Sequence, residues 1–246
     1  MITRKPMKPK NYKRGYPVAV LVGMEQDHAA LWQIFSQVAK HQQNITLIGD
    51  RKEQKTLYSF YETIINALRP VLKEGVRSII VASPPRTNYA QDFLSHIKAH
   101  HAWLLQGTNK ASFSQITGSA SAPSQVAALT KTTNFKQLIQ ENAAEETENL
   151  LEILEKRLSK TDNLVLFSLQ EAENLILNPQ APGKRQPEYL LLTNDYLAGS
   201  RQKNRVNRLM QIAARNGVKT RVIDAESNAG LRLTQLGGIV CLAKID

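Results

Sequence analysis

Three histidines crowd one stretch of this 246-residue chain: His96, His100 and His101. His96 and His100 stand four apart, a helical spacing that can hold a metal ion. No Glu follows in the His-Glu-x-x-His manner and no third ligand is evident, so no metal is assigned. Imidazoles near a helix C-terminus are favoured by the helix dipole in any case. The single cysteine, Cys241, can form neither an internal disulfide nor a cysteine-based zinc site, which fits a reducing cytoplasm. Ser83 follows an apolar run, but Pro84 and Pro85 come next, and Gly-x-Ser-x-Gly is absent. Gly237-Gly238 precedes a strand pattern rather than a helix, so the phosphate cradle of a helix N-terminus is not available to it. No catalytic constellation emerges, and no cofactor is expected.

Cationic chemistry is better represented. Thirty-two Lys+Arg against 21 Asp+Glu give a formal net charge of +11. The first sixteen residues carry Arg4, Lys5, Lys8, Lys10, Lys13 and Arg14 with no acid, and a second basic stretch covers 183–232. An acidic stretch, 141–162, lies between them. Two basic ends around an acidic middle imply a polyanionic partner, nucleic acid or a ribosome. Along 201–216, Arg201, Arg205, Arg208 and Arg215 fall within about 80° on a helical projection. Val206, Leu209, Met210 and Ala213 take another side. Four guanidiniums on one stripe suit phosphates, although a solvated helix face has the same pattern.

The elements that must position these groups alternate between strand and helix. Val18–Val22, Ala30–Phe35 and a third run ending at Ile45–Ile48 are strand-like with short connections, an antiparallel meander. Leu57, Phe60, Tyr61, Ile64, Ile65, Leu68 and Leu72 make one apolar stripe over 55–73, stopped at Gly75. Ser78–Ala82 is a buried strand and 88–101 a helix. Trp103–Leu105 and Phe113–Ile116 read as edge-like strands, and a helix begins at Val126. Residues 141–160 read as an acidic helix bridging two domains. A second series follows: strand 164–167, helix 169–177, a Pro/Gly loop 178–187, strand 189–193, helix 201–216, strand 219–224, a helical segment 226–236 and strand 239–243.

The expected fold class is α/β in two domains. A basic disordered tail (1–16) precedes a mixed-sheet α/β central domain (17–140) and a three-layer α/β/α C-terminal domain (141–246). No apolar run approaches the ~20 residues of a membrane span, so no membrane partner is expected.

Taken in order, these segments resemble the Pelota (Dom34) family, relatives of the class-one release factors. The resemblance covers nearly everything after residue 17. Phe60-Tyr61-Glu62 stands in a Pelota-like helix, and Ser78-Ile-Ile-Val-Ala-Ser-Pro84 resembles the strand and turn that follow it. Ser119-Ala120 falls where the family often has Ala-Ser-Ser-Gly. Leu191-Leu-Thr-Asn-Asp-Tyr-Leu197 is similar to the family's Leu-Leu-Ile-Ser-Asp-Glu-Leu. Arg205, Gly217, Gly230, Leu233, Leu236, Gly237, Gly238 and Ile239 fit its ending. The C-terminal half is also similar in topology to kink-turn RNA-binding ribosomal proteins, an analogy of fold alone.

The resemblance implies a ribosome-associated factor acting near the A site in the rescue and recycling of stalled ribosomes (mRNA surveillance). It implies a cytoplasmic location, contacts to tRNA or rRNA, and as partners a translational GTPase and a recycling ATPase. In the family the loop after the third strand is basic and reaches toward P-site tRNA, which assigns Arg51, Lys52 and Lys55 as phosphate contacts. The family's Ser-Pro-Gly-Phe turn is associated with docking the GTPase, and here Ser83, Pro84, Pro85 and Arg86 stand in its place. The family's N-terminal Sm-like domain is expected to be absent. A release factor would carry Gly-Gly-Gln in the loop. No Gly-Gly precedes Gln54, and Gly23-Met-Glu-Gln26 sits one hairpin too early, so peptide release is disfavoured. Two alternatives remain: a peptidyl-tRNA hydrolase using Gln54 or Gln26, and a freestanding binder of structured RNA.

Overall fold

The computed structural model describes residues 15–107, 110–160, 164–177 and 185–244. The basic tail therefore falls almost wholly outside the described residues, as does most of the loop expected at 178–187.

Strands β1 (Pro17–Met24), β2 (His28–Phe35) and β3 (Ala39–Thr46) form the expected antiparallel meander. β4 (Ser78–Ser83) and β5 (Ser112–Thr117) add in parallel on the other side of β1, so the first sheet has the order β3-β2-β1-β4-β5. β1 and β4 read as nearly continuous apolar runs because both faces of the sheet are covered. Val20, Val22, Ile79 and Val81 pack with α1 (Gln54–Lys73) and α2 (Tyr89–His100). Ala19, Leu21, Ile80 and Ala82 face the opposite way, with residues of α3 (Pro123–Leu129) and α4 (Thr133–Leu158). β3 is the polar edge, exposed at all but one position, which discourages pairing with another sheet.

The second sheet has the order β6-β9-β7-β8, built from β6 (Val165–Leu166), β7 (Pro187–Thr193), β8 (Lys219–Ile223) and β9 (Ile239–Ala243). β7 and β8 are parallel, whereas β9 runs antiparallel to both β6 and β7. α5 (Leu169–Leu177) pairs with α7 (Lys203–Arg215), and α8 (Asn228–Gln235) pairs with α4. Both pairs join the sheet in one apolar core.

Three elements differ from expectation. Trp103–Leu105 is not a strand. Ala102–Leu104 forms one 3-10 turn that tucks Leu104 into the core beneath α2, while Trp103 stays 57% exposed. The acidic helix begins at Thr133, not 141, where Thr132 Oγ1 accepts from the Phe135 amide at 3.3 Å. A short helix, α6 (Asn194–Gly199), follows β7 directly, capped by Thr193 Oγ1 accepting from the Tyr196 amide at 3.1 Å.

The early start of α4 matters most. Phe135, Leu138 and Ile139 belong to the core of the first sheet, and Leu150 and Leu154 to that of the second. The boundary expected at 140/141 thus falls inside one continuous 26-residue helix that serves both sheets.

Candidate nucleic-acid and partner surfaces

The loop between β3 and α1 is short and polar. Asp50 Oδ1 accepts from the Lys52 amide at 2.9 Å, an Asx turn that tightens it. Lys52 and Lys55 are exposed there. Arg51 is engaged otherwise. Its guanidinium donates to the Glu25 and Gln26 carbonyls, both at 2.8 Å, and stacks 3.8 Å from the centroid of the Tyr89 ring. This arginine ties the loop to the β1–β2 turn and to the start of α2, so it positions the two lysines more than it offers a charge of its own. Gln26 and Gln54 are both exposed at this end of the sheet.

On α7 the arginine stripe is divided. Arg205 Nε donates to Glu173 Oε1 of α5 at 2.7 Å and its Nη1 to Gln202 at 2.8 Å. The pairing with Glu173 raises the Arg205 pKa further. Arg201 lies in the turn ahead of the helix, which begins at Lys203. Arg201, Arg208 and Arg215 are exposed, and no ion pair to them is found among the described residues. The buried face is Val206, Leu209 and Ala213, as the spacing predicts.

The turn after β4 carries a non-glycine residue at positive φ, Arg86 at +63°. Thr87 Oγ1 donates to the Pro84 carbonyl at 2.7 Å, closing the turn. Ser83 is 7% exposed, while Pro85 and Arg86 face solvent. The turn therefore presents a ring and a cation, and its serine belongs to the strand.

Two features bear on catalysis. Cys241 is buried in β9, and burial pushes its thiol up to about 12, so it is not a nucleophile at neutral pH. Gly237 and Gly238 both take positive φ, +100° and +78°, turning α8 into β9, and Gly238 lies against the Tyr196 ring. Their role is to turn the chain.

The histidines group differently from their spacing. The His96 ring packs on that of His100, 4.7 Å between centroids, but the histidines that share a polar partner are His96 and His101, both on Glu62 of α1. His100 is exposed and stacks edge-on with Tyr58, their ring centroids 5.2 Å apart. Sequence spacing missed Glu62 because it lies 34 positions before His96, on another helix.

No protein-family model matches the chain, and no curated protein matches it. Solved structures do. Ribosome-bound archaeal Pelota, described with ABCE1, is 19% identical over 96% of this chain and 64% of its own, with a TM-score of 0.54. Saccharomyces cerevisiae Dom34, a translation termination-like factor involved in RNA quality control pathways and interacting with Hbs1, is 20% identical. That match covers 96% of this chain and 65% of Dom34, with a TM-score of 0.49. The archaeal translation termination factor aRF1 is 13% identical over 92% of this chain and 62% of its own, with a TM-score of 0.32. The chain spans just under two thirds of the length of these proteins. Its two-sheet α/β fold is similar to that of the Pelota central and C-terminal domains, as the sequence resemblance implied.

Proposed function

We propose that the chain is a Pelota-like, ribosome-associated translation factor that acts in rescue and recycling of stalled ribosomes without peptide-release chemistry. The observation that carries this reading is the likeness to ribosome-bound archaeal Pelota over 96% of the chain. The charge supports it: a net +11 is what an anionic ribosomal surface attracts. Lys52 and Lys55, braced by Arg51, contact tRNA or rRNA phosphates near the A site, positioning the protein without reading sequence. Arg201, Arg208 and Arg215 form a second phosphate-facing row, and Arg205 fixes the helix that presents it. The turn Ser83-Pro84-Pro85-Arg86 meets a translational GTPase, and a recycling ATPase completes the set of partners. The site of action is the cytoplasm.

Cosedimentation with ribosomes tests the reading. The chain is expected to pellet with ribosomes at low salt and to leave them as salt rises. Lys52→Glu with Lys55→Glu, and separately Arg208→Glu with Arg215→Glu, weaken binding and flatten its salt dependence. Failure of the unmodified chain to pellet at low salt refutes the proposal. Binding that is intact in the Lys52/Lys55 variant removes the loop assignment alone. Hydrolysis of peptidyl-tRNA that Gln54→Ala abolishes would replace the factor with an enzyme.

A further inference from the structure

We propose that Glu62, His96 and His101 form a zinc site between α1 and α2. His96 Nε2 lies 3.0 Å and His101 Nε2 2.6 Å from the same carboxylate oxygen, Glu62 Oε1. The three ligand atoms all lie within 4.8 Å of one another. Two imidazole nitrogens thus meet one carboxylate oxygen, brought together from three positions in the sequence.

The backbone explains the convergence. On a continuing helix, residues five apart would point about 140° away from each other. α2 stops at His100, and His101 leaves it at φ −131°, ψ 39°, which returns its ring to the side of His96. The side chains of both histidines are more than nine-tenths buried, at 8% and 9% exposed. Tyr61 packs against His96 at 5.1 Å between ring centroids and Tyr58 at 5.0 Å, so the His96 ring is held in place before any ion arrives. His101 Nδ1 is buried with no partner, so Nε2 is the only nitrogen of that ring engaged.

The donor set selects the metal. Two imidazoles and a carboxylate suit Zn2+ and its neighbours Co2+, Ni2+ and Cu2+ over Mg2+ and Ca2+. Ligand bonds of about 2.1 Å place the corners of a tetrahedral zinc site about 3.4 Å apart. The separations here change by about 0.4 to 1.4 Å, which rotation of Glu62 and His101 supplies while the His96 ring stays between its tyrosines. Glu62, 26% exposed, marks the open side, where water supplies the fourth ligand. His101 Nδ1 has no acceptor behind it, which sets the affinity about 10- to 100-fold below that of a fully supported site. The bound ion would clamp together the two helices on one face of the first sheet. This site is independent of the ribosomal reading, which uses none of its residues.

The test uses the full chain after chelator treatment. Titration with Zn2+ is expected to show one saturable equivalent, and Co2+ to give the intense visible bands of a four-coordinate ion. Zinc at a hundredfold its dissociation constant raises Tm by about 5–10 °C. Glu62→Gln keeps the shape and loses the anionic ligand, and His96→Gln removes one nitrogen. Each is expected to weaken zinc at least tenfold and to abolish the cobalt bands while circular dichroism stays unchanged. Absence of saturable binding to the original chain overturns the site. So does an isotherm that Glu62→Gln and His96→Gln leave unaltered, which would assign the zinc to the remaining histidines.

Discussion

The Asn142 amide donates to Ser78 Oγ at 2.9 Å, joining the middle of α4 to the first residue of β4. Its carbonyl accepts from Ser114 Oγ of β5 at 2.8 Å, so one side chain bridges two parallel strands. Both Asn142 and Ser78 are buried, at 4% and 2% exposed, and replacing the asparagine strands two hydroxyls. Asn142→Leu is expected to cost about 1–3 kcal/mol in urea unfolding. A loss under about 0.5 kcal/mol would mean that the bridge carries no stability.

The glycines divide by what surrounds them. A Cβ at Gly230 would meet the Asp224 carbonyl oxygen at 1.8 Å, so α8 approaches that loop too closely for any side chain. Gly217 has open space but a φ of +73°, and Gly199 has open space with no positive φ. The expected order of thermal destabilisation is Gly230→Ala, about 3 kcal/mol or more, then Gly217→Ala, about 1 kcal/mol, with Gly199→Ala near neutral. A Gly230→Ala protein as stable as Gly199→Ala contradicts this packing.

Glu188 supplies a pH dependence. Burial acts to raise its pKa, but hydrogen bonds from Arg157 and Lys219, with their charges, bring it below the ordinary value. A carboxylate whose folded pKa is depressed contributes stability above its unfolded pKa, about 4.3, and loses that contribution as pH falls through the folded value. Glu188→Gln is therefore expected to be less stable than the original chain at pH 7. The gap should close as pH falls below about 4. Urea midpoints measured across that range check it, and a gap that is constant with pH excludes the linkage.

Arg86 sits in a backbone region that disfavours side chains, at φ +63°. Arg86→Gly is expected to raise stability by about 1 kcal/mol while removing one surface cation. A drop in Tm would show that the arginine side chain contributes more than its backbone costs.

Elements were legible where a periodic pattern was complete. The α1 stripe, with Phe60, Tyr61, Ile64, Ile65, Leu68 and Leu72 buried, is the one that the spacing predicts. α5 and β9 match their expected bounds because each is a compact apolar unit between breakers. The start of α4 was hidden because the helix crosses a change of composition: its first turns face one core, its last turns the other. The short α6 lies between the strand expected at 189–193 and the helix expected at 201–216, in a stretch too short to show a period of its own.

Side-chain engagement was the least legible. Arg51 lies in a basic loop, and its sequence gives no sign that carbonyls 25 and 26 positions earlier claim its guanidinium. Arg205 shares a stripe with three exposed arginines, yet Glu173, 32 positions earlier, takes its charge. His101 was set aside for His100 because helical spacing assumes that the helix continues. In each case the deciding partner lies on a different element, where local periodicity carries no information.

At about 1.5 Å per residue, the 26 residues of α4 reach some 39 Å. Because its two ends are walls of different interiors, the rod works as an axle. A push that tilts the first sheet must either tilt the second with it or melt a turn near Asn142.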